Sequence, residues 1–150
     1  MSVPSARAQA SAAIIVAIRR IVAGSVLSNQ RRAEILKLHP TDLQLLNILE
    51  LSGPTTPKQL ARASGLSSGG ITVVLDRLEK AGYIRRAENP QDRRSLLVHF
   101  VRPKAGHPIF ALYKDDEANA RKLLARYSEK ELELIADVLT RLTTPPESEE

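Results

Sequence analysis

Between Ala63 and Arg86 the chain reads ASGLSSGGITVVLDRLEKAGYIRR, and the head of that stretch is built to approach a polyanion. Ser67 and Ser68 offer hydroxyls beside the free backbone N–H groups of a helix start, which suits phosphate oxygens. Gly69 and Gly70 follow, although glycine costs about 1 kcal/mol against alanine in a helix interior. In a first turn the cost is smaller, and the missing side chains let a ligand come close to the backbone. At 100° per residue, Gly69, Val73, Asp76 and Lys80 lie opposite an apolar stripe of Ile71, Val74, Leu75 and Leu78. Thr72 and Arg77 flank them. A helix face this small and weakly polar can enter a major groove, where Thr72 and Val73 methyls can meet a thymine methyl.

Other chemistries fit the residues less well. Gly65 and Gly70 have the Gly-x-x-x-x-Gly spacing of a phosphate loop, but Ile71-Thr72 stands where Lys-Ser/Thr is needed. His39, His99 and His107 are scattered without metal-ligand spacing, and no Ser/His/Asp set or facing carboxylate pair suggests catalysis. The expectation is therefore a non-enzyme with no cofactor and no metal. Zero cysteines exclude a disulfide framework and thiolate chemistry, and suit a cytoplasmic protein. Aromatics at 3% exclude a stacking platform for single strands.

Charge points the same way. The net charge is +5, yet residues 57–104 alone carry +6, so the excess sits in the middle third. A basic segment in a neutral body is the footprint of a polyanion partner. The longest apolar run, AIIVAI from Ala13 to Ile18, is far short of the ~20 residues of a membrane span. Arg19-Arg20 stands where a signal peptide's small cleavage-site residues should begin, so an N-terminal packing helix is expected and no membrane partner.

The elements that position these residues are legible from caps and periodicity. Residues 5–38 read as one long or two consecutive helices. Pro40 then breaks the pattern, with Thr41 as the expected N-cap of a helix carrying Leu43, Leu45, Leu46, Ile48 and Leu49. Thr56, Pro57 and Gln59 form a capping box with a proline start, and Gly65 can close that short helix. Ser67 caps the next helix, expected to run to about Ala81 and to end at Gly82. Two short helices joined by a tight turn make a helix-turn-helix. YIRRAE and SLLVHFV then read as strands, the second alternating Leu96, Val98 and Phe100, around the turn NPQDRR. A helix-turn-helix followed by a basic hairpin is a winged helix. A helix is expected from about Ile109 to Ala125, then another headed by a Ser128/Glu131 capping box, and then a polar tail, TPPESEE. Leu132, Leu134, Ile135, Val138, Leu139 and Leu142 give the last helix more apolar surface than one core-facing stripe requires. The fold class is mainly α with a small β-hairpin wing: residues 39–104 as the winged helix, 1–38 and 105–150 as helical flanks.

From about Leu38 to Val101 this arrangement resembles the MarR family of transcriptional regulators, most specifically in LDRLEKAGYIRR and NPQDRRSLLV. The family's Asp-x-Arg wing element is matched by Asp92 and Arg94. The strand ends in Phe100-Val101, where the family often has Leu-Thr, and Gly106 lies further along than usual. The resemblance implies a homodimer whose terminal helices interlace. Its two winged helices would face one double-stranded DNA duplex at a palindromic operator. It also implies a repressor that lets go when a small, often phenolic, aromatic effector binds; no residue is assigned to that effector. In the wing, Arg94 is expected in the minor groove. Asp92 should shape the loop or pair with an arginine, Arg77 being the obvious partner. Arg93, Arg86 and Lys58 are expected on phosphates. The competing reading is a winged helix for protein contacts without DNA readout, which the basic wing argues against.

Overall fold

Proline sets where three helices begin: each opens with a cap residue in extended conformation followed by Pro40, Pro57 or Pro108. Proline has no N–H to lose at the first helical position, and its φ already suits the helix. The computed structural model describes residues 5–143, which form six helices and two strands. The chain divides into two units between Ala105 and Gly106.

In the first unit, α1 (Ala6–Leu36) is one continuous helix capped by Ser5, and α2 (Pro40–Ser52) follows. The cap of α2 is His39 and not Thr41. With Pro40 at the first helical position the cap is the residue before it, two earlier than expected, and His39 Nδ1 accepts the Thr41 N–H at 3.3 Å. Next, α3 (Pro57–Ser64) carries the expected capping box and ends on Gly65 at φ 70°, a left-handed conformation that glycine adopts without strain. The second helix of the pair, α4 (Ser68–Lys80), starts with Ser67 Oγ accepting the Gly70 N–H at 3.1 Å, and stops short of the capping Ala81. Gly82, at φ 78°, turns the chain into β1 (Ile84–Glu88), which pairs antiparallel with β2 (Leu96–Phe100).

The core lies where these elements converge. Leu45, Leu46 and Leu49 of α2, Leu60 of α3, and Ile71, Val74, Leu75 and Leu78 of α4 close over Ile84 and Val98. All four residues of the α4 stripe are buried. Of the alternating residues of β2, Val98 is fully buried and Phe100 packs against the core, whereas Leu96 is 46% exposed because it sits at the far end of the hairpin. The free edge of β2 is used as well: Val98 N–H donates to Thr55 O at 2.8 Å and Thr55 N–H to Val98 O at 3.2 Å.

Only the C-terminal end of α1 joins this core. Ala33 is buried, and Asn29 Nδ2 donates to the Pro40 carbonyl at 3.0 Å. Ile14, Ile15, Val16, Ile21 and Val22 are all 45% exposed or more. The helix is long and apolar enough to cross a bilayer. Arg19 and Arg20 sit near its middle, however, where each would cost about 2.5–3.5 kcal/mol in a membrane.

The second unit contains α5 (Pro108–Leu124), capped by His107, and α6 (Glu129–Thr143). The Glu131 carboxylate accepts both the backbone N–H and the hydroxyl of Ser128, and the backbone bond above all holds its pKa below the usual glutamate range. No described residue of α6 is buried, and Leu134, Val138, Leu139 and Leu142 stand open along it. The tail from residue 144 lies outside the described residues.

Leu75→Ala should lower unfolding free energy by about 2–5 kcal/mol in a urea titration. Val73→Ala, two residues away on the exposed face, should change it by less than about 0.5 kcal/mol.

Candidate nucleic-acid interface

The outward side of α4 is what remains once its apolar stripe is buried. Ser68, Gly69, Thr72, Val73, Asp76 and Lys80 are exposed, as the periodicity requires. The Thr72 hydroxyl donates back to the Ser68 carbonyl at 3.0 Å, so the methyl is the group left to meet a partner. The two glycines separate in role. A Cβ on Gly70 would come within 3.2 Å of Ser67 Oγ, the very atom that caps the helix, whereas a Cβ on Gly69 would meet nothing within 4 Å. Nothing inside the chain therefore asks for glycine at position 69.

The wing tip is folded by its own polar groups. Asn89, nearly buried, donates through Nδ2 to Ser95 Oγ at 2.9 Å and accepts the Gln91 N–H at 3.0 Å. Asp92 Oδ1 accepts the Arg94 N–H at 3.0 Å, and Ser95 N–H closes on the Asp92 carbonyl at 3.0 Å. These bonds hold a loop that leaves the Arg93 and Arg94 side chains exposed. Lys58 and Arg62 are exposed on α3 and line, with Asn89, Asp92 and Ser95, a cleft of about 640 Å³ between that helix and the wing.

Two arginines depart from expectation. Arg77 does not pair with Asp92. Its guanidinium grips Asp42 in the first turn of α2, with Nε to Oδ2 at 3.0 Å and Nη2 to Oδ1 at 2.5 Å. The Asp42 side chain is only 4% exposed, so it must have a cation nearby, and Arg77 supplies it. The Asp42 hydrogen bond outweighs burial and raises the Arg77 pKa further, so the guanidinium stays charged. From its position alone Asp42 is an acid in a helix first turn, where the helix dipole favours it. The missed signal was that an acid among core leucines needs a partner, and that partner lies 35 residues away. Arg86 is not open to phosphate either: its side chain is only 22% exposed, and its guanidinium lies on Glu79 at 2.5 Å and Asp76 at 2.7 Å.

The surface is thus a shallow helix face beside a basic loop, with Arg77 and Arg86 paired to carboxylates and Arg93 and Arg94 exposed on the loop. Such a surface can place backbone and methyl groups in one groove and cations in the next.

Comparison with known proteins agrees. A family model described as "MarR family" matches residues 38–96. The HTH-type transcriptional regulator YcgE of Bacillus subtilis is 36% identical over 135 residues, spanning 90% of this chain and 87% of that protein. The crystal structure of Rv1404 from Mycobacterium tuberculosis superposes with a TM-score of 0.59 at 23% identity, covering 95% of this chain and 96% of that one. A MarR family transcription regulator, SP03579, gives 0.59 at 22% identity over 93% of both chains. At these identities the two structures establish the fold alone.

Arg77→Ala should cost about 1–3 kcal/mol of stability by denaturant titration. A buried pair broken on one side costs about 3–5 kcal/mol, reduced here because Arg77 is half exposed. Changing both partners to apolar residues, Asp42→Leu with Arg77→Met, should recover part of that loss.

Proposed function

The chain belongs to the MarR family, and on that footing we propose that this winged-helix, DNA-binding transcriptional regulator is a homodimeric repressor released from its operator by a small aromatic molecule. We assign residues 39–104 to DNA, and 1–38 with 105–150 to the dimer. The observation that carries the DNA reading is Gly69: it is exposed, a Cβ there would meet nothing within 4 Å, and it heads the face of α4 that points away from the core. Ser67, Ser68, Gly69, Thr72 and Val73 are then the groove-facing set. Arg94 takes the minor groove, Arg93 and Lys58 the phosphates, and Asp92 and Arg77 hold shape.

Dimerisation is supported by the apolar residues left open on α1 and α6, since a large exposed apolar patch marks an interaction surface. In a dimer the operator would be palindromic, with half-sites about one helical turn, ~10 bp, apart. As a regulator of bacterial type it works in the cytoplasm, where the DNA is. For the effector, a groove of about 430 Å³ between α1 and α2 offers a place, its lining including Val26 and Pro40 beside Ser25, Asn29, Gln30 and Gln44. There, Asn29 Oδ1 is a buried acceptor without a donor, a group that a slight opening of the groove would expose to a phenol hydroxyl.

A mobility-shift titration against the promoter beside the protein's own gene tests the reading. Binding should be tight, with log affinity falling linearly in log salt. No preference over random duplex would leave only a protein-contact module. Arg94→Ala should weaken operator binding by ~1–3 kcal/mol with the dimer intact by sedimentation. Gly69→Ala should leave thermal stability equal or higher and still weaken the operator complex. Truncation before Ser128 should dissociate or aggregate the protein; a soluble intact dimer would refute the part given to α6.

A further inference from the structure

Three side chains between α4 and the hairpin are not used by any DNA contact assigned above. Glu79 takes two donors from one residue: Oε1 accepts the backbone N–H of Arg86 at 2.9 Å, and Oε2 accepts its Nη1 at 2.5 Å. Asp76, one turn earlier on α4, accepts Nη2 of the same guanidinium at 2.7 Å. Arg86 stands opposite Val98 in the hairpin, and Val98 sends its own N–H and carbonyl to Thr55 on the far side. The Arg86 N–H therefore points off the free edge of β1, where it would otherwise face water. A two-stranded hairpin is marginal by itself. This one is held on one edge by the backbone of Thr55 and on the other by a carboxylate of the helix that meets DNA.

We propose that Glu79, with Asp76 and Arg86, is a positioning element that fixes the wing relative to α4, so that one element reaches the minor groove when the other lies in the major groove. Building on the DNA-binding reading above, the inference assigns Arg86 to this tie and gives two acidic residues of a DNA-facing helix a role in affinity. Their charge alone works against DNA. Removing an acid beside the duplex should tighten binding by Coulomb's law, for operator and random sequence alike. Removing a tie that sets wing position should weaken binding, and only where both grooves must be met at once.

The opposite signs make the test. Wild type, Glu79→Ala and Glu79→Gln, as full-length chains, are titrated against the operator and a random duplex at two salt concentrations, with hydroxyl-radical footprints on the operator. Glu79→Ala should bind the operator about tenfold more weakly, an effect the size of one mismatched base pair, while random duplex binds equally or more tightly. Glu79→Gln keeps an acceptor for the Arg86 N–H and should fall between. Protection under the wing should fade or shift, and protection under α4 should remain. Operator binding by Glu79→Ala at or above the wild-type level overturns the inference. So does an Arg86→Ala variant that merely loses about one unit of salt slope, the mark of a simple phosphate contact, while Glu79→Ala changes nothing. Random-duplex affinity and thermal unfolding report folding, and if Glu79→Ala is unfolded the Glu79→Gln arm decides. A wild-type protein with no operator preference removes the DNA reading and this inference with it.

Discussion

One face of α4 is committed to the core, and that commitment determines what its other face can do. Ile71, Val74, Leu75 and Leu78 are all buried against leucines from α2 and α3. Burying side chains of this size contributes roughly 1.5–3 kcal/mol each, so the helix cannot roll about its axis without losing several of them. The helical period then dictates that Gly69, Thr72 and Val73 point away from the core. A helix positioned by packing against α2, α3 and β1 needs no long polar side chains to hold it in a groove. The residues it presents can be small, and a close backbone approach becomes possible.

Electrostatics divides the basic residues into two populations. The middle third of the chain carries the positive excess, yet Arg77 and Arg86 face inward. Arg77 neutralises the buried Asp42 and so ties α4 to the start of α2. Arg86 lies across Asp76 and Glu79 and ties α4 to β1. Together with the Thr55 pairing on the opposite edge, these contacts turn a hairpin that would be weak alone into a fixed arm. Arg93 and Arg94 remain at the end of that arm, on a loop closed by Asn89, Asp92 and Ser95. The field offered to a polyanion is therefore narrower than the charge count implies, with Arg93 and Arg94 at the wing tip and Lys58 and Arg62 on α3 among the cations left exposed.

The flanking helices follow a different logic. In α1 the apolar residues before the contact with α2 are open on more than one side, and α6 leaves Leu134, Val138, Leu139 and Leu142 uncovered. A helix with that much exposed aliphatic surface is unfavourable in water, which is the physical argument for the association proposed for these segments.

Local chemistry was strong enough for the sequence alone to determine the element order, the capping box of α3, the α4 stripe, the helix ends at Gly65 and Gly82, and the basic hairpin. Each depends on residues within a few positions of one another. The sequence also placed the hydroxyls and glycines at the head of α4, because a cap and a period locate them. The N-cap of α2 was missed by two residues, since proline at the first helical position moved the cap to histidine. Tertiary structure alone decided which charges are free. Arg77 meets Asp42 across 35 residues and Arg86 meets two carboxylates across a turn of the fold. A guanidinium looks alike in sequence whether it faces solvent or a carboxylate, and only the packed core, by bringing distant segments within 3 Å, settles which it is.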